Sequence, residues 1–90
     1  MSIKVKIHPV LQKLVEGREV IEVTGHTTGE CLRNLESRFP GIKQEIRDKR
    51  GRLHSYYYIS VNSKWAYPKQ LTTPVKDGDE IDIEIIAFGG

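Results

Sequence analysis

The residues of this chain that are best suited to chemistry stand at its end, where Ala87-Phe88-Gly89-Gly90 follows an alternating apolar stretch. Glycine has no Cβ, so Gly89 and Gly90 can pass through a narrow channel and leave the terminal carboxyl open to attack. Fully extended, these last residues reach about 13 Å. The pattern predicts that the carboxyl of Gly90 is the reacting group and that Gly89, Phe88 and Ala87 are bound by partners.

A carboxylate is a poor electrophile and needs conversion to a mixed anhydride, such as an acyl-adenylate made with ATP, before sulfur or an amine can displace it. The sequence contains no glycine-rich phosphate loop followed by Lys and Ser or Thr. We therefore predict that a partner protein performs the activation, with ATP and Mg²⁺ bound there, and that this chain is not catalytic alone. An idle C-terminal end is the alternative that a Gly-Gly pair by itself leaves open.

Composition narrows the possible partners. Fourteen Lys and Arg against twelve Asp and Glu give a net charge of +2, which does not call for nucleic acid or an anionic membrane. Cys31 is the only cysteine, so neither an intramolecular disulfide nor a cysteine metal cluster is expected. Apolar runs are too short to span a bilayer, and the N-terminal segment alternates instead of forming a signal peptide. These features favour a cytoplasmic protein without a bound metal.

The hydrophobic periods predict the elements that must position the end of the chain. Period-two alternation predicts strands over 3–7, 20–23, 56–61 and 81–85, with a possible short edge strand within 65–73. Thr27-Thr28-Gly29-Glu30 resembles a capping box and opens a helix that Pro40-Gly41 ends. The helix has an apolar face and a face predicted to meet water, the first with Cys31, Leu32, Leu35 and Phe39, the second with Arg33, Asn34, Glu36 and Ser37.

A helix with one apolar face must pack on a sheet with one apolar face. Pairing the first and last strands in parallel at the centre gives an α+β, ubiquitin-like β-grasp fold, a mixed sheet of four to five strands with one main helix on one face. We expect residues 1–86 to form this domain and residues 87–90 to be a flexible tail. Tyr57 should point opposite to Tyr56 and Tyr58, and the outward tyrosines, with Trp65 and Tyr67, suit a protein interface.

Several segments resemble the MoaD/ThiS family of ubiquitin-like sulfur carrier proteins. The helix and its exit (residues 32–41), the strand before an asparagine turn (59–62) and the approach to the last strand (73–81) are similar to that family, and Gly89-Gly90 matches its terminus. The sequence departs from the family at Ser63, where glycine is frequent, and at Ile85-Ile86-Ala87-Phe88, where proline and small residues are frequent.

The resemblance implies a mechanism. Gly90 would be adenylated by an E1-like adenylyltransferase with ATP and Mg²⁺, and a cysteine desulfurase or rhodanese type of donor would supply sulfur for a C-terminal thiocarboxylate. The tail would then enter an acceptor enzyme, such as the large subunit of molybdopterin synthase. The length of the chain and its resemblance in the helix segment favour a role in molybdopterin biosynthesis. A sulfur carrier for thiamine, for cysteine or for tRNA thiolation remains an alternative.

Two other functions stay open at this stage. A ubiquitin-like modifier would use the same adenylate and join Gly90 to a lysine of a target protein. A β-grasp module that binds RNA or protein would leave the tail idle, and deletion of Gly89 and Gly90 would then change nothing.

Overall fold

The computed structural model describes residues 2–86, which form a five-stranded mixed sheet with helical segments on one face. In chain order the elements are β1 (Ser2–Ile7), a 3-10 helix (Pro9–Val15), β2 (Val20–Thr24), α1 (Thr28–Arg38), α2 (Pro40–Ile46), β3 (Tyr57–Val61), β4 (Lys64–Trp65) and β5 (Glu80–Ile85). The strand order across the sheet is β2-β1-β5-β3-β4. β5 is therefore the central strand, although it comes last in the sequence.

The register of the sheet confirms the predicted β-grasp arrangement. β1 runs antiparallel to β2 and parallel to β5, so that Val5 faces Ile21 on one side and Ile81 on the other. β5 also runs antiparallel to β3, with Ile83 opposite Ile59. Residues 81–83 of β5 are thus paired on both sides, whereas residues 84 and 85 pair with β3 alone.

Alternation along the strands sends one set of side chains into the core. Within residues 2–86, seventeen apolar side chains are buried and form one cluster, of which Val75 belongs to the loop before β5. The sheet contributes those of β1, β2, β3 and β5, and the helical face contributes Leu11, Val15, Cys31, Leu32, Leu35, Ile42 and Ile46. The opposite face of the sheet carries Lys4, Lys6, Tyr58, Trp65 and Glu84, which lie at the alternate positions. This outer face borders the site described below.

The start of α1 is held by a side-chain cap and by a close backbone approach. Thr27 Oγ1 accepts a hydrogen bond from the amide of Glu30 at 3.1 Å, as the capping pattern predicts. The amide of Gly29 donates to the Leu71 carbonyl at 2.9 Å. A Cβ at residue 29 would overlap that carbonyl oxygen, so glycine lets the loop before β5 lie directly against the helix.

The stretch between β1 and β2, for which the alternation pattern predicts no element, forms the 3-10 helix. Pro9 at its first turn has the backbone angle that a helix start requires. His8 Nδ1 accepts from the amide of Val10, and Leu11 and Val15 reach the core. Two buried side chains in seven residues give too weak a periodic signal for the sequence to distinguish this helix from a loop.

The prediction that Glu36 faces water is wrong. Its side chain is only 5% exposed and forms a bidentate ion pair with Arg47, Nε to Oε2 at 2.7 Å and Nη2 to Oε1 at 3.1 Å. Arg47 follows α2 and also donates to the Gly51 carbonyl. Because α2 folds back beside α1, it covers a position that is solvent-facing in an isolated helix. The ion pair thus joins two elements that local periodicity treats separately.

Tyr57 gives a prediction for the pH dependence of stability. Its ring is buried and its hydroxyl donates to Glu45 Oε2 at 2.7 Å; burial, and then this carboxylate, raise the pKa of Tyr57 to about 12. Between pH 10 and 12 the unfolded state loses this proton while the folded state keeps it, so the free energy of unfolding should fall as pH rises through that window.

The measurement is an ultraviolet titration of phenolate absorbance together with denaturant unfolding at each pH. Tyr57→Phe should remove the highest-pH phenolate transition and flatten the loss of stability. An identical high-pH titration in wild type and Tyr57→Phe would contradict the assignment.

Candidate functional site at the end of the central strand

The predicted reacting end of the chain continues directly from β5. After the last strand pair, the amide of Ile86 donates to the carbonyl of Tyr56 at 2.8 Å. The predicted site residues Ala87, Phe88, Gly89 and Gly90 lie outside the described residues, as does the predicted boundary of a flexible tail. Ile86, the last described residue, therefore lies beside β3 at the end of the central strand.

A polar cluster fixes the opposite end of β5. The two-residue turn from β3 to β4 has positive φ at Asn62 (50°) and Ser63 (69°), the arrangement that favours glycine at Ser63. Asn62 Nδ2 donates to Asp79 Oδ1 at 3.0 Å, and Asn62 Oδ1 accepts from the amide of Glu80 at 2.9 Å. The Asn62 amide and the Lys76 backbone hold the pKa of Asp79 below its ordinary value. The asparagine turn and the Asp-Gly-Asp turn therefore set where β5 starts.

An open groove of about 460 Å³ lies on the outer face of β3, β4 and β5. It is lined by Tyr58, Ser60, Ser63, Trp65, Glu84 and Ile86. The Tyr58 and Trp65 rings meet edge to face with centroids 6.0 Å apart, and Tyr67 lies against Trp65 at 5.0 Å. Trp65 is 60% exposed and Tyr67 is 63% exposed. The last described residue, Ile86, forms part of this groove together with Tyr58 and Trp65.

Acidic side chains of β5 set the electrostatics of the same face. Desolvation, and then the neighbouring Glu80 carboxylate, raise the pKa of Asp82. Desolvation and Glu84 likewise raise the pKa of Tyr58, and Ser60 Oγ donates to Glu84 Oε2 at 3.3 Å. The lining of the groove thus combines the aromatic rings of Tyr58 and Trp65 with the carboxyl group of Glu84.

The remaining candidates contribute no chemistry to this region. Cys31 is fully buried in the core, as its predicted place on the apolar face of the helix requires, and desolvation raises the pKa of its thiol, which keeps it protonated. Within residues 2–86 no three His, Cys, Asp or Glu side chains are placed to hold a metal ion. Over the same part of the chain, none of the helices has the length and apolarity required to cross a bilayer.

Sequence reasoning missed three contributors to the site. Gln70 links the loop before β5 to β3 and to α1. Its side-chain Oε1 accepts a hydrogen bond from the amide of Ile59 at 2.7 Å, and its backbone carbonyl accepts one from Thr28 Oγ1 at 2.6 Å. Glu84 and Ile86 were not recognised as groove residues. The alternation of Ile81, Ile83 and Ile85 carried that signal, because residues 84 and 86 must point to the other face.

The family model for ThiS proteins matches residues 5–90, which include the second half of β1, all elements from β2 to β5 and the terminal Gly-Gly. The chain belongs to the ThiS family. This ThiS-family protein is 29% identical over 93 residues to the sulfur carrier protein CysO of Mycobacterium tuberculosis, with both chains fully covered. The resemblance seen in the sequence is thereby confirmed.

Solved structures agree with this assignment. The ThiS-family protein superimposes with a TM-score of 0.86 and 30% identity on a chain of the Amycolatopsis orientalis BexX/CysO complex, covering 98% of this chain and 99% of that one. SAMP1 of Haloferax volcanii gives the same TM-score at 22% identity, with full coverage of both chains. The second likeness supports the ubiquitin-like fold alone.

Proposed function

We propose that the protein is a sulfur carrier whose C-terminal Gly90 is converted to a thiocarboxylate. The observation that carries this proposal is the family match, which extends through β5 to Gly90. The geometry supports it, because β5 pairs with both β1 and β3, and the amide of the following Ile86 donates to the Tyr56 carbonyl. A rigid central strand can present four following residues to a partner, over a reach of about 13 Å.

The chemistry requires partners. An E1-like adenylyltransferase would let the Gly90 carboxylate attack the α-phosphate of Mg²⁺-bound ATP, which releases pyrophosphate and leaves an acyl-adenylate. Sulfur from the persulfide of a cysteine desulfurase or rhodanese type of donor, with two electrons from a thiol, would then displace AMP. An acceptor enzyme would take the sulfur and return the Gly90 carboxylate. The chain itself supplies the carboxyl, the glycine backbone and the docking surface.

For the acceptor pathway we favour the CysO type, with cysteine as the product, over molybdopterin. The curated relatives at 29% identity are named CysO, and the solved chain at 30% identity belongs to a BexX/CysO complex. Length and the helix segment, which favoured molybdopterin, are features that sulfur carriers of several branches share. Molybdopterin synthase therefore stays as the second candidate acceptor, and the two candidates can be compared in one assay.

Intact-mass spectrometry tests the carrier function. The protein is incubated with an E1-like adenylyltransferase, ATP, Mg²⁺ and a persulfide donor with thiol. We expect a mass increase equal to sulfur minus oxygen, located by fragmentation at Gly90 and absent without ATP. Adducts joined to lysines of other proteins would instead identify a modifier. An unchanged mass, with a known carrier converted in parallel by the same enzyme, would contradict the proposal.

A further inference from the structure

Three aromatic side chains form a cluster on the outer face of the sheet, at β3 and β4 and just after them. The rings of Tyr58 and Trp65 meet edge to face, and Tyr67 lies against Trp65. More than half of Trp65 and of Tyr67 is exposed. Exposed apolar side chains that cluster in this way are typical of interaction sites, so this aromatic cluster is a candidate surface for a partner.

A carboxyl group lies beside the aromatic cluster. Glu84 stands directly opposite Tyr58 in the register of β3 and β5, and Ser60 stands directly opposite Trp65 in that of β3 and β4. Cβ atoms of directly opposite residues are about 5 Å apart in such pairs. Ser60 Oγ donates to Glu84 Oε2 at 3.3 Å. The sheet therefore holds the Glu84 carboxylate next to the rings in the groove that all four residues line.

The negative charge of this face has no matching cation in the groove. None of the six lining residues is basic, and no ion pair within residues 2–86 involves Glu84. Asp82 precedes Glu84 on the same face of β5, and its buried Oδ1 has no hydrogen-bond partner in the described part of the chain. A positive group that entered the groove would be attracted by both carboxylates.

The chemistry of the lining selects among possible occupants. An apolar side chain would cover the rings but would desolvate the Glu84 carboxylate without pairing it, which is unfavourable. A lysine ammonium would pair the carboxylate as a compact charge. An arginine guanidinium is planar, stacks on aromatic rings and donates two parallel hydrogen bonds to a carboxylate. The combination of rings and carboxylate therefore fits arginine best.

We propose that the groove binds an arginine side chain of a partner protein, with its guanidinium stacked on the rings of the aromatic cluster and hydrogen-bonded to Glu84. Since Ile86 lines the same groove, a partner held there contacts the residue that follows β5. The binding does not depend on the carrier function proposed above.

Nuclear magnetic resonance titrations with short peptides test the proposal. The probes are tripeptides blocked at both ends, with arginine, lysine, leucine or glutamate between two glycines. The backbone amide signals of Tyr58, Glu84 and Ile86 report on the groove. We expect the arginine peptide to shift these signals at the lowest concentration, the lysine peptide to bind more weakly, and the glutamate peptide to cause no shift.

Three variants locate the binding site. Glu84→Gln and Trp65→Ala should each weaken binding of the arginine peptide by about fivefold, the first through the lost charge and the second through the lost ring. Glu22→Gln is the matched control, because Glu22 is an exposed carboxylate of β2 that does not line the groove; its affinity should equal that of the wild type. Unchanged amide signals of the core residues show that each variant is folded.

Several results would overturn the proposal. Equal affinity for the leucine peptide would assign the groove to an apolar occupant, and equal affinity for the lysine peptide would assign it to a cation without the planar fork. The absence of shifts at these amides, or an equal effect of Glu22→Gln and Glu84→Gln, would show that the groove does not bind arginine. Shifts that depend on protein concentration alone would assign the groove to a second copy. These titrations involve neither ATP nor sulfur, so their failure is distinguishable from a failure of the carrier function.

Discussion

Deleting Gly89 and Gly90 is expected to abolish C-terminal adenylation while leaving the melting temperature unchanged. The deletion moves the reacting carboxyl back by about 7 Å and places it on Phe88. Displacements of about 1 Å are enough to reduce enzymatic rates by about 100-fold, so a shift of this size should lower the rate by at least that factor. The cluster of seventeen buried apolar side chains described above lies within residues 2–86, and the deletion removes none of them, which is why the fold should survive.

The assay is ATP-pyrophosphate exchange with an E1-like adenylyltransferase, followed by thermal unfolding of each variant. Gly90→Ala is the matched variant, since it keeps the length of the tail and adds only a methyl group beside the carboxyl. It should retain more activity than the deletion and less than the wild type. If the truncated protein were adenylated and supported sulfur transfer at the wild-type rate, the reacting group would lie elsewhere and the tail would be idle.

Replacing Glu36 by alanine is expected to give the largest loss of stability among single polar substitutions in the described residues. The substitution leaves the guanidinium of Arg47, which is only 11% exposed, without its carboxylate. Removing one partner of a buried ion pair costs about 3–5 kcal/mol, because the remaining charge is desolvated without compensation. For a domain of this size we expect the melting temperature to fall by at least about 12 °C.

Two further variants separate this buried pair from an ordinary surface pair. Arg52→Ala breaks the Arg52–Asp48 pair, in which the arginine side chain is 69% exposed, and should cost less than about 1 kcal/mol. The double variant Glu36→Leu with Arg47→Met removes both charges and should recover most of the stability that Glu36→Ala loses. A melting temperature for Glu36→Ala equal to that of Arg52→Ala would show that the ion pair contributes little.

The β-grasp fold was predictable because its strong signals are local. Apolar residues alternate with polar ones at Ile3, Val5 and Ile7 and again at Ile81, Ile83 and Ile85. Each run repeats the period of two several times and so identifies a half-buried strand. The helix between them is marked by its cap and its proline stop. Parallel pairing of the first and last strands follows because each has one apolar face that must meet the helix.

Burial of polar residues was not predictable in the same way. Glu36 lies on the polar side of its own helix and is covered only because α2 turns back over it. The bonding of Gln70 to β3 and to α1 joins residues distant in the chain. Such contacts depend on how the helices and strands pack against each other. The hydrophobic periodicity of a sequence does not predict which polar side chains will form hydrogen bonds or ion pairs with each other.

The sequence by itself determined the strand and helix pattern, the glycine end and the family, because each is a matter of residue type and spacing along the chain. The tertiary structure alone decided that β4 and β5 bring Trp65 and Ile86 to one groove, and that Glu36 is paired in the interior. These outcomes depend on the order of strands across the sheet and on helix packing. They join residues that are separate in the sequence, and only the folded backbone specifies the distances between them.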